Sequence, residues 1–187
     1  MNQVKQEPCE LAEQVFEKPL SGAFEEVLFG SDIGNTLWVK FSDKDGVNEW
    51  IGKFGVGGFG QGHIVKIGEP DKFLVSAGGF VYSVDATKRE LVNQYCDENA
   101  QDVAYDYQRK LLIIAHWTQL RWVDFAGKVF FSHKIAVDGI RDLKIDGRIL
   151  SGLASADYGG EEKKFRFDLE KLEILGWENF SQKSSPA

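Results

Sequence analysis

Hydrophobic and polar positions alternate in short runs along most of this chain, and the runs recur. Three basic residues each open an apolar stretch: Lys72-Phe-Leu-Val, Lys110-Leu-Leu-Ile and Arg148-Ile-Leu-Ser, 38 residues apart at each step (72, 110, 148). The match continues through Phe73, Leu111 and Ile149, then Leu74, Leu112 and Leu150. Thr36-Leu-Trp-Val, 36 residues before Lys72, reads as an earlier copy. Period-two alternation of this kind predicts half-buried strands. A second run follows each anchor and closes on aspartate: Phe80–Asp85, Leu120–Asp124 and Phe165–Asp168. A further strand is expected at Leu91-Val92, Val129-Phe130 and Leu172–Leu175. Another precedes each anchor, at Ile64–Ile67, Val103–Tyr105 and Ile140–Ile145. Four short strands per unit of about 37–38 residues describe the meander of a propeller blade.

The expected fold is therefore all-β, with about four repeats of a four-stranded antiparallel meander. A small β-propeller, an open propeller-like array and two chains completing one ring all fit that count. The expected divisions are an N-terminal segment over 1–24, a repeat domain over 25–176 and a C-terminal tail over 177–187. The N-terminal segment, through Val15-Phe16, is expected to add a closing strand to the last blade. The closing aspartates have a local explanation, since a carboxylate at a strand end accepts backbone N–H groups of the following turn. Asn48-Glu-Trp-Ile-Gly-Lys-Phe in the first copy lacks that aspartate, as terminal repeats often depart from the pattern.

The stretch Tyr82-Ser-Val-Asp-Ala-Thr-Lys-Arg-Glu-Leu-Val resembles the repeat of PQQ-type and related bacterial β-propellers, in which an aromatic strand ends in Asp-Ala and a short turn. The resemblance implies the fold and carries no cofactor with it, because no ligand residues have counterparts here. The expected cofactor is none.

Composition narrows the function. The 187 residues carry a net charge of −7, with 20 glycines and 13% aromatics, as a strand-and-turn protein would. A surface of that sign repels phosphate backbones, so neither nucleic acid nor an anionic membrane is an expected partner. No apolar run approaches the ~18 residues of a spanning helix, and Met1–Gln14 lacks the apolar core of a secretory signal. The expected location is cytoplasmic. Cys9 and Cys96 fit no metal spacing and are expected to be reduced thiols.

Gly55-Val-Gly-Gly-Phe-Gly60 formally matches a GxGxxG loop. A dinucleotide site needs a helix after the glycines, yet His63-Ile-Val-Lys-Ile reads as strand, and nothing supplies kinase-type catalytic motifs. The glycines read as an inter-blade loop. His63, His116 and His133 share no zinc spacing. No GxSxG elbow is present. With the expected register, one end of the blades collects Asp43, Asp45, Asp97, Glu98, Asp138 and Asp157, with His116, Trp117 and Tyr158 among them. Acidic loops with aromatic anchors suit a basic protein partner. The leading expectation is a non-enzymatic protein-binding module of the bacterial cytoplasm, with toxin-neutralising immunity proteins as an instance. A metal-assisted hydrolase or lyase using the acidic loops and His116, and a small-sugar binder stacking on Trp117 and Tyr158, are the alternatives.

Overall fold

A computed structural model describes residues 11–31, 35–43, 45–57, 62–68, 71–96, 99–124, 128–155 and 161–178. They form sixteen strands in four sheets of four, with no helix among them. The first sheet holds β1 (Ala12–Val15), β2 (Glu25–Phe29), β3 (Thr36–Ser42) and β4 (Glu49–Gly55). The second holds β5 (His63–Gly68), β6 (Lys72–Ala77), β7 (Phe80–Asp85) and β8 (Glu90–Cys96). The third holds β9 (Asp102–Asp106), β10 (Leu111–Ala115), β11 (Leu120–Val123) and β12 (Val129–Phe131). The fourth holds β13 (Ile140–Asp146), β14 (Ile149–Ser155), β15 (Glu162–Asp168) and β16 (Glu173–Glu178). Sheets two to four are antiparallel meanders in chain order.

The sheets stack face against face through three cores. Phe41 and Phe54 meet Phe73 and Val75 between the first and second sheets. Leu74 and Val81 meet Leu112 and Ile114 between the second and third. Ile113 and Trp122 meet Leu150 and Phe167 between the third and fourth. The leading strands β1, β5, β9 and β13 lie side by side in that order along the inner edge. Three cores for four sheets make the array open: no fourth core joins the last sheet to the first among the described residues.

All three anchors fall at the start of a second strand, as the periodicity predicts. Lys72 is the first residue of β6, and Lys110 and Arg148 each immediately precede β10 and β14. The equivalence is shifted by one in the second sheet. The positions facing the preceding sheet are Phe73, Leu112 and Leu150, which lie opposite Val84, Val123 and Phe167, each the residue before its closing aspartate. A one-residue slip exchanges the two faces of a strand, so burial reveals what residue matching alone does not.

The aspartates close their turns as expected. Asp85 Oδ1 accepts from Lys88 N at 3.0 Å, and Asp124 Oδ1 from Lys128 N at 2.8 Å. Asp168 Oδ1 accepts from Glu170 N and Lys171 N at 2.9 and 3.2 Å. Asp106, not foreseen, builds the same turn after β9, with Gln108 N and Arg109 N at 2.9 and 3.1 Å. Three of these turns end on a left-handed residue, Arg89, Lys110 or Leu172, at φ 59°, 52° and 57°.

The first sheet departs from the expected meander in two respects. Its order is β1-β3-β4-β2, with β2 parallel to β4, Glu25 opposite Trp50 and Phe29 opposite Phe54. Residues 12–15 join this sheet by pairing with β3, rather than closing the last blade: Ala12 lies opposite Phe41 and Val15 opposite Trp38. Ala12 is buried in the first core, which holds the segment at this end of the array.

Candidate partner-binding face

Each regular sheet has two ends: a crossing end, where the chain passes to the next sheet, and a turn end, where β7–β8 and its equivalents close. The first sheet is inverted relative to the others. Phe41, at the end of β3, packs at 5.4 Å on Phe73, at the start of β6. Arg89, in the β7–β8 turn, pairs with Glu25 and stands 5.9 Å over the Trp50 ring, at the starts of β2 and β4. The loop after β3 therefore sits at the turn end. The opposite terminus of β4 reaches the crossing end, where Gly57 N donates to Ala77 O at 3.4 Å. A Cβ on Gly57 would lie 2.2 Å from Gly78 O, so glycine permits this approach. That is the role the structure gives to this part of the glycine-rich stretch, and a strand, β5, follows it as read from sequence.

The inversion divides the expected site. His116, Trp117 and Asp138 lie together at the crossing end, whereas Asp43 and Asp45 lie at the turn end, contrary to expectation. Alternation along β3 and β4 does not encode which way a sheet points. Asp97, Glu98, Asp157 and Tyr158 lie outside the described residues. Asp43 closes its own loop: its carboxylate accepts from Val47 N at 2.9 Å, Asn48 N at 3.2 Å and Asn48 Nδ2 at 2.5 Å. The Asn48 amide, with the backbone donors, holds the Asp43 carboxyl below the usual carboxylate range.

At the crossing end the chain turns tightly after β10, with His116 N donating to Gln119 O at 2.9 Å. The carbonyls of this turn anchor the connection into β13. Thr118 O accepts from Ile135 N and Ala136 N at 2.8 and 3.1 Å, and Trp117 O from Gly139 N at 2.8 Å. Val137 N and Ser155 O, then Ser155 N and Gly139 O, continue the stitching onto β14. Ile135 and Ala136 are buried in the third core, while Asp138 stands exposed between two pinned residues. His116 and Trp117 are half-buried, belonging neither to the core nor to the exposed apolar residues. The result is a backbone-locked platform with an aromatic side chain at its margin.

At the inner margin of the same end, Asp102 ties three sheets. Its Oδ2 accepts from Leu143 N of β13 at 2.8 Å, and its Oδ1 lies 3.6 Å from His63 Nε2 of β5. Leu143 N lies within the β13 bulge between Arg141 and Lys144, where Asp142 has φ 55°. No local signal marks this contact, because its partners are 39 and 41 residues from Asp102 in sequence (63, 102, 143). Nearby, Arg141 grips Glu162 through two bonds of 2.6 and 2.5 Å, and the guanidinium keeps that carboxyl below its ordinary range. No three His, Cys, Asp or Glu side chains among the described residues are grouped to hold a metal ion. No described helix is long and apolar enough to cross a membrane.

The chain resembles solved propellers. It superposes on the Neurospora crassa Pan2 WD40 domain with a TM-score of 0.54 at 13% identity, covering 79% of this chain and 49% of that one. It superposes on Kuenenia stuttgartiensis hydrazine synthase with a TM-score of 0.56 at 14% identity, covering 87% of this chain and 51% of that one. These are propeller-type repeats. The chain spans about half the length of the chains it matches, and at this identity the likeness is one of fold. No family model matches the sequence, and no curated protein does.

Proposed function

We propose that this chain is a non-enzymatic protein-binding module whose crossing end grips a basic protein partner. The observation that carries the reading is the platform at residues 116–119 and 132–139. A half-buried Trp117 on a turn locked by four backbone hydrogen bonds is pre-organised, so little ordering entropy is lost on association. Large aromatic side chains concentrate interface energy when a partner covers them. The net charge of −7 steers a basic partner towards the protein. Within this reading, Asp97, Glu98, Asp157 and Tyr158 remain candidate partner-binding residues with Asp138, and Asp43 and Asp45 stand apart from that end. The further assignment is to an immunity-type protein of the bacterial cytoplasm, built from PQQ-like blades.

Photo-crosslinking from Gln119 in the producing cell tests the surface. Capture of one protein from this position, lost in the Trp117→Ala background, is the expected result. Capture that survives Trp117→Ala, or that occurs equally from Val47 at the turn end, places the binding surface elsewhere.

A further inference from the structure

The three meander sheets end at their outer edges in β8, β12 and β16. Bulges blunt such edges against the addition of another strand. β8 carries two register shifts against β7, and β16 carries one against β15, but β12 pairs with β11 without a shift. Ser132 N donates to Leu120 O at 2.9 Å and Asp124 N to Lys128 O at 3.0 Å. The hydrogen-bonded positions of this ladder are therefore Lys128, Phe130 and Ser132. The N–H and C=O groups of Val129 and Phe131 point away from the sheet, and the two side chains, 38% and 54% exposed, share one face of it.

Arg121 lies on that same face, opposite Phe131, with its Cζ 5.9 Å from the Phe131 ring centroid. Its Nε is buried without an acceptor, and the half-buried guanidinium has no ion pair among the described residues. A charge drawn out of water calls for a partner, and here the missing group is an anion. Residues 120–134 carry Arg121, Lys128 and Lys134 against Asp124 alone, in a chain of net charge −7. Asp124 Oδ1 is already engaged by Lys128 N. Across the two gaps the neighbouring sheets present Ser83 and its partner Asn93 on one side, and Phe165, Phe167 and Ile174 on the other, all uncharged. Glu90 of β8 shares its turn with Lys88 and Arg89. We propose that β12 is a docking edge for an extended acidic segment of a partner protein, which adds to the third sheet as a fifth strand. The added strand lies about 4.8 Å beyond β12, where a carboxylate opposite Phe131 meets the Arg121 guanidinium and apolar side chains cover Val129 and Phe131. The same charges disfavour a second copy edge to edge, since that pairing sets the cations of β11 and β12 against their own kind.

NMR titration of the full chain with the capped peptide Thr-Val-Glu-Val-Glu-Val-Thr, and with its counterpart bearing lysine at both glutamate positions, tests this edge. The acidic peptide is expected to bind with a Kd below about 1 mM and, at saturation, to slow hydrogen exchange of the Val129 and Phe131 amides. The lysine peptide should bind about tenfold more weakly, and Arg121→Gln should weaken the acidic one by about the same factor. Val129→Pro removes an outward N–H and no bond to β11, so it should abolish binding while the sheet persists. If that variant unfolds, Arg121→Gln decides. Absence of a saturable change at Val129 and Phe131, equal binding of the two peptides, or binding indifferent to Arg121→Gln overturns the proposal. The edge selects the charge opposite to that expected of the crossing-end partner, so the two readings stand or fall separately.

Discussion

Tyr82 offers the sharpest test of how the inverted first sheet is held. Its ring is fully buried against Phe54 at 5.4 Å and Phe80 at 6.0 Å, and its hydroxyl donates to Gly55 O at 3.0 Å across the first interface. Tyr82→Phe keeps the ring and removes only the donor. Leaving a buried carbonyl without that partner costs about 1–2 kcal/mol, which for a chain of this size lowers the melting midpoint by about 2–8 °C. Tyr82→Ala also opens a cavity and should cost about 3–5 kcal/mol. The two losses should be local, since stacked repeats exchange stability mainly with their neighbours. Hydrogen exchange should quicken in β1–β4 and β5–β8 while β13–β16 stays protected. The hydroxyl also has a pH signature. Burial raises its pKa, so the neutral form is favoured in the folded state. That contribution is complete below the ordinary tyrosine value of about 10 and is lost as pH rises through the raised value. Tyr82→Phe should therefore flatten the alkaline limb of stability. A variant that melts with the wild type and shows no change in exchange across β1–β8 would refute this account of the interface.

Three further outcomes follow from the same geometry. Arg109 donates to Asp106 at 2.8 Å, Glu170 at 3.0 Å and Gly147 O at 3.3 Å, binding the turn ends of the third and fourth sheets. Arg109→Ala should cost about 2 kcal/mol in denaturant unfolding, and Arg109→Lys should recover only part of it. Burial alone would raise the Asp168 carboxyl, but the N–H groups of Lys171 and Glu170 and the charges of Arg148 and Lys171 outweigh it and lower its pKa. Its stabilising contribution is present above the ordinary carboxylate value of about 4 and is lost as pH falls through the lowered one. Thermal melts against pH should show a shallower acid limb in Asp168→Asn. Gly57→Ala would set a Cβ against Gly78 O and should destabilise by about 1–3 kcal/mol by overpacking, read as a lower melting midpoint.

Much of the second, third and fourth sheets was legible in the sequence, because their information is local. Alternation reports burial strand by strand, and the aspartates at 85, 124 and 168 bond to N–H groups within four residues. The placement of the candidate residues was legible only in part. His116, Trp117 and Asp138 belong to connections whose end of the sheet follows from a regular meander. Asp43 and Asp45 belong to the one sheet that breaks it. Asp102 bridges β5 and β13 through contacts that no nearby residue announces.

The sequence by itself determined the strands of the second, third and fourth sheets, their period to within a residue and the turns after Asp85, Asp124 and Asp168, since period-two burial and Asx bonding act over a few residues. The tertiary structure alone decided the direction of the first sheet, the parallel pairing of β2, the place of β1 and the open form of the array. The physical reason is that a strand buries the same face whichever way it runs and whichever edge it joins. Direction and closure are settled by where Phe41, Phe54 and Tyr82 find their partners across the first interface, and by the absence of a fourth core among the described residues.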